Sequence, residues 1–209
     1  MAEHRTARRR KPQFELIAGN LCLDFINTLD NRPSDQPKEL LTTYADLVSF
    51  AEDSGVLNPN DGYYLRDHAS SSPQKAQDAL HKAIELREAM CDVLTAVIRR
   101  ERAPEAAFGS LSKYVQEAAG HSQLVQIRNG FEARFEFLLS LESILWPIAL
   151  AAAELLTSRQ LRFIRACLSP TCQWLFLDTS KNHRRRWCDM KSCGNRAKAR
   201  RFYKRQKTS

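Results

Sequence analysis

Residues 167 to 200 read Cys167-Leu-Ser-Pro-Thr-Cys172-Gln-Trp-Leu-Phe-Leu-Asp178-Thr-Ser-Lys-Asn-His-Arg184-Arg185-Arg186-Trp187-Cys188-Asp-Met-Lys-Ser-Cys193-Gly194-Asn195-Arg196-Ala-Lys198-Ala-Arg200. Two Cys-x4-Cys pairs stand here with fifteen residues between them. Close thiolate pairs cost little loop-closure entropy and match the ligand preference of Zn2+. The spacing therefore predicts a structural zinc site on Cys167, Cys172, Cys188 and Cys193. Four thiolates complete a tetrahedron and leave no open position, so no catalytic metal is expected.

Between the pairs, Trp174 to Leu177 is apolar enough for a strand, with Leu161 to Ile164 expected beside it. Cys193-Gly194 predicts a knuckle that opens a helix from Asn195 to about Tyr203. Knuckle, hairpin, second knuckle and helix make a treble-clef-like unit. So small a unit has little core, and metal supplies much of its stability, about 10–16 kcal/mol in comparable peptides. Asp178 and Ser180 are expected to order the loop by pairing with Arg184 or Arg186. Ala199 and Phe202 form a narrow strip expected to pack the helix on the unit. His183 sits in the basic loop and is expected to face solvent or phosphate rather than metal.

The net charge of +8 is unevenly placed. Residues 181–207 carry twelve Lys/Arg against one acid, Asp189, and residues 1–12 carry five against Glu3. Residues 13–180 hold 15 basic and 22 acidic side chains, a net of −7. Basic ends on an acidic middle point to a polyanionic partner. The predicted phosphate contacts are Arg184, Arg185, Arg186, Arg196, Lys198, Arg200, Arg201, Lys204 and Arg205, with Arg196, Arg200 and Lys204 on one helical face. Phosphate contact with a nucleic acid is the expected role. An RNA- or ribosome-associated role, an acidic protein partner and a solvated charged tail are the alternatives.

Upstream, residues 1–12 read as a disordered basic arm, 13–158 as a helical body and 159–209 as the zinc unit with its basic helix. Phe14 to Ala18 predicts a short strand. Leu21, Phe25 and Leu29 share a helical face. Thr43 and Asn58-Pro59 predict helix starts, as does Ser72-Pro73, which opens the longest helix, to about Arg102. Its apolar stripe is interrupted once, by Arg87. Pro104 restarts a helix ending near Gly120. Asn129-Gly130 predicts a type I′ turn in a hairpin of residues 124–128 and 131–135. A second long, nearly all-apolar helix is expected from Leu138 to Leu156. Cys22 and Cys91 lie in apolar patterns and read as buried thiols. The fold class is thus mainly α with a small β-hairpin and a C-terminal treble-clef-like zinc finger.

Further motifs carry a resemblance. Cys167-x4-Cys172 through Trp174-x-Phe176-x-Asp178-x-Ser180, Arg184-Arg185-x-Trp187-Cys188 and Cys193-Gly194-Asn195-Arg196-Ala197-Lys198 resemble the CGNR zinc finger. Gly19-x-x-Cys22-Leu23-Asp24-Phe25-x-Asn27-Thr28 resembles the opening of the ABATE domain, the partner of that finger in bacterial proteins described as stress-induced transcription regulators. The resemblance implies zinc on the four cysteines, DNA binding and transcriptional control. It also permits a ligand pocket around Asp24, Asn27 and Thr28, hence a small-molecule effector, although the same three residues can simply pin a helix. The body would sense or form a homodimer.

No phosphate loop, nucleophile elbow or paired His/carboxylate motif occurs between residues 13 and 160, so no enzyme is expected. The stretch Ile144 to Leu156 is broken by Pro147 and Glu154 and is too short to span a bilayer. Arg8 to Lys11 lead into Pro12-Gln13 rather than an apolar run, so no membrane association and a cytoplasmic location are expected.

Overall fold

A computed structural model describes residues 12–135 and 140–207. The predicted arm lies outside them except for Pro12. The body begins with α1 (Leu21–Ile26), then the short strands β1 (Leu29–Asp30) and β2 (Lys38–Glu39), which pair antiparallel. Helices α2 (Tyr44–Asp53), α3 (Pro59–Ser71), α4 (Pro73–Arg99) and α5 (Glu105–His121) follow. The hairpin β3 (Ser122–Ile127) and β4 (Gly130–Phe135) leads to α6 (Leu145–Thr157). The finger holds β5 (Ile164–Ala166), antiparallel to β6 (Leu175–Leu177), and the terminal helix α7 (Asn195–Lys207).

The helix starts follow local chemistry. Thr43 and Asp46 form a reciprocal capping box on α2, and Asn58 caps α3 ahead of Pro59. Helix α4 ends before the expected Arg102 because Arg100 adopts a left-handed φ of 60° and Glu101 N–H returns to Ala96 O at 2.9 Å. The expected helix start at Leu138 lies outside the described residues, and α6 itself begins at Leu145. Ser140 to Ile144 instead form turns, in which Ser143 Oγ donates to Ser140 O and Tyr44 Oη donates to Leu141 O. Pro147 then falls in the first turn of α6, where its missing N–H is harmless.

The core gathers Leu23, Phe25, Phe50, Leu86, Met90, Ile148 and Phe176, so body and finger share one apolar interior. Helix α6 packs on α1, α4 and α5 at its centre. Arg87 interrupts the α4 stripe and is nevertheless only 2% exposed. Its guanidinium bonds both Glu39 oxygens at 2.7 Å, Glu88 at 2.8 Å and Thr28 Oγ1 at 3.2 Å. A buried cation is tolerable when it is paired and hydrogen-bonded this fully.

Further local expectations are corrected. The strand expected at Leu161 to Ile164 falls on Ile164–Ala166, because Arg159–Phe163 form a 3-10 helix whose start Ser158 caps. Phe14 to Ala18 forms no strand, because side chains take its backbone groups: Phe14 N–H donates to Asp53 Oδ2 at 3.2 Å and Ala18 N–H to Asp24 Oδ1 at 2.9 Å. Leu29 leaves the helical face for β1, whose two residues are too few to show a periodicity. The β3–β4 turn falls on Arg128-Asn129, with Ile127 opposite Gly130. Neither turn residue has the positive φ of a type I′ turn; Gly130 carries it instead, at φ 149°.

Candidate metal centre and nucleic-acid interface

Local structure brings the cysteines together. Cys167 follows β5, and its N–H donates to Trp174 O at 2.8 Å, which extends the hairpin toward the first knuckle. The second knuckle is a single π turn, Met190–Gly194. Asp189 sets it by accepting from Ser192 N–H at 2.8 Å, while Gly194 N–H returns to Asp189 O at 3.0 Å. Gly194 lies under the Met190 side chain, where a Cβ would stand 2.7 Å from Sδ and oblige that flexible, exposed side chain to move. Asp189 was missed in the sequence, although Asp is a favoured residue at the N-cap of a helical turn.

The four sulfurs are buried and lie within 4.8 Å of one another. Cys188 Sγ stands 3.7 Å from both Cys172 Sγ and Cys193 Sγ. A zinc tetrahedron with bonds of about 2.3 Å has edges of about 3.8 Å, so the spacing fits the ion. The donor chemistry agrees. Hydrogen bonds from Cys172 and Cys188 push the Cys167 thiol down, and the same contacts push the Cys172 and Cys188 thiols up. Four crowded sulfurs become anions together only around a cation. Arg196 Nη2 donates to Cys193 Sγ at 3.0 Å, adding positive charge at the rim.

The family described as "ABATE: Putative stress-induced transcription regulator" matches residues 19–159, and the CGNR zinc finger matches residues 164–206. The chain belongs to the ABATE family. It ends in a CGNR zinc finger whose four cysteines form the zinc site. No curated protein matches it.

The ABATE motif meets the CGNR finger directly. Strand β6 pairs with β5 on one side, leaving the backbone of Leu175 and Leu177 turned toward the body. Asn27 fills that edge: its Nδ2 donates to Leu175 O at 2.9 Å and its Oδ1 accepts from Leu175 N–H at 3.0 Å. Leu177 N–H donates to Ala18 O at 2.8 Å. Thr28 Oγ1 donates to Phe25 O at 2.7 Å and receives Arg87. Burial raises the Asp24 carboxyl to about 6, against the pull of the Ala18 and Ile17 backbone hydrogen bonds. Asn27 lines a cavity of about 140 Å³ with Arg32, Cys91 and Thr95. Cys22 and Cys91 are thiols whose pKa burial raises.

The basic residues divide into two groups. Arg185 is held inside the loop: its N–H donates to Asp178 Oδ2 at 2.8 Å, its guanidinium lies 4.7 Å from the Phe176 ring centroid, and it bonds Cys188 O. Asp178 thus orders the loop through the Arg185 backbone, not through Arg184 or Arg186. Ser180 Oγ donates to the same carboxylate at 2.6 Å. Arg196 faces the metal centre. Arg184, Arg186, Lys198, Arg200, Arg201 and Lys204 are exposed. Arg186, Arg200, Arg201 and Lys204 rim a shallow groove of about 340 Å³ with Trp187 and Leu168. Arg205 belongs to α7, but its side chain lies outside the described residues. Ala197 is the residue of α7 that packs down; Ala199 and Phe202 are exposed, Phe202 at 58%. The Ala199 and Phe202 strip therefore does not seat the helix; Ala197 faces inward in its place.

Proposed function

We propose that the chain is a zinc-dependent transcription regulator that binds duplex DNA through its finger. The observation that carries this reading is the groove, where Arg186 from the loop meets Arg200, Arg201 and Lys204 from α7. Two basic segments separated by the second cysteine pair converge there on one surface, as phosphate recognition requires. Arg184 and Lys198 extend the same charge. The protein acts by binding and not by catalysis, since its four-thiolate centre offers a substrate no coordination position. It works in the cytoplasm, where thiols remain reduced and hold zinc. Among the described residues, no helix is long and apolar enough to cross a membrane.

With about six phosphate contacts, duplex affinity falls at least about a hundredfold between roughly 50 and 200 mM salt. Fluorescence anisotropy over that range checks it, and a flat response removes the proposal. The exposed Phe202 and Tyr203 favour a second reading, because aromatic rings beside arginines stack on unpaired bases. Competition between duplex DNA and structured RNA at fixed salt decides between them.

A further inference from the structure

The β3–β4 hairpin projects from the body. Among its described residues, Phe135 at the base packs on the core, its ring centroid 6.3 Å from that of Trp146. Toward the tip, Leu124 is 76% and Phe131 67% exposed. A lone two-stranded hairpin is marginally stable in water and gains from a third strand.

The register shows which groups await that strand. Ile127 and Gly130 are direct partners across a two-residue turn, so they form a hydrogen-bonded pair. By alternation, Val125 with Glu132 and Gln123 with Arg134 are also hydrogen-bonded pairs. The backbone N–H and C=O of Phe131 and Ala133 therefore point away from β3.

We infer that β4 pairs antiparallel with β4 of a second copy, about a two-fold axis through Ala133, to make a four-stranded sheet. The choice of register rests on charge. Arg134 already pairs with Glu132 within β4. Centring on Ala133 sets Glu132 opposite the partner's Arg134, and Arg134 opposite the partner's Glu132, so the two intrastrand pairs join into one network of alternating charge. Shifting the axis by one residue would set Glu132 against Glu132 or Arg134 against Arg134, and like charges directly opposite repel. The chosen axis also joins the two Ala133 residues by reciprocal backbone hydrogen bonds and lays Phe131 across from the partner's Phe135. Strand β3 offers no such selection, since Ser122 to Ile127 carries no charge.

The contact is small, so self-association is weak and depends on concentration. Sedimentation velocity of the zinc-loaded full chain over a concentration series tests it. Glu132→Arg and Arg134→Glu, each alone, weaken association about tenfold by making two repulsive pairs. The double variant E132R/R134E restores it to within about threefold of the unaltered protein. Ala133→Cys gives an interchain disulfide under mild oxidation, because a hydrogen-bonded pair separates Cα atoms by about 5.5 Å, within disulfide reach. A chain monomeric at every concentration, single variants that associate normally, or a double variant no better than the singles overturns the inference. If the charge variants fold poorly, the Ala133→Cys cross-link decides alone, and its absence counts against the sheet. The DNA-binding reading is untouched either way.

Discussion

Asn27 makes two hydrogen bonds to one residue, Leu175, that lies 148 positions away. Both Leu175 groups are buried, so truncation leaves a donor and an acceptor without partners, at about 1–3 kcal/mol each. Asn27→Ala is therefore expected to lower the melting temperature by about 4–24 °C, given roughly 2–4 °C per kcal/mol at this chain length. A shift below about 1 °C by calorimetry would show that the clasp contributes nothing. Asp24 carries the opposite kind of prediction. Its carboxyl sits at about 6 in the folded chain against an ordinary 3.8, because burial disfavours the anion. The folded state thus holds the proton more tightly, so this group's stabilisation is complete below about pH 4 and lost as pH rises through about 6. Asp24→Asn should flatten the stability curve over that window relative to the unaltered chain. Parallel curves would place the pH dependence elsewhere.

At the scale of elements, the metal-bearing finger was the most legible part of the sequence. Cysteine spacing is a covalent constraint that reads directly, and so do Thr43, Asn58-Pro59 and Ser72-Pro73 as helix starts. Interactions made across the fold were less legible. Arg87 interrupted a stripe in the sequence, and nothing nearby announced Glu39 as its partner. Asn27 belonged to a conspicuous motif, but its use as the closing edge of β6 depends on tertiary packing. The Asn129-Gly130 signal named the hairpin correctly and missed its register by one residue, since Gly130 supplies its positive φ from the first strand position. The finger's elements depend on metal for order. Chelating zinc should leave most of the helical circular dichroism, which comes from α2 to α6, and should lower nucleic-acid affinity at least about tenfold, reversibly on adding zinc. Unchanged affinity in the stripped protein would separate the arginines from the zinc scaffold.

Across the whole molecule, an acidic body carries a cationic finger, and charge sorting of this kind directs a polyanion to one end. A two-fold contact at the β3–β4 hairpin would present two such fingers together, which matches the way symmetric proteins read paired half-sites. The strand edge closed by Asn27 and Ala18 has a separate consequence. An exposed strand edge invites pairing with any other chain, and natural proteins cover theirs. Here the cover comes from another domain. A fragment cut near residue 160 would keep all four cysteines and its arginines, yet bare Leu175 and Leu177 to solvent. Such an excised finger is a candidate for aggregation however well it binds zinc, so the two domains are poor subjects for separate expression or for transplantation onto other proteins.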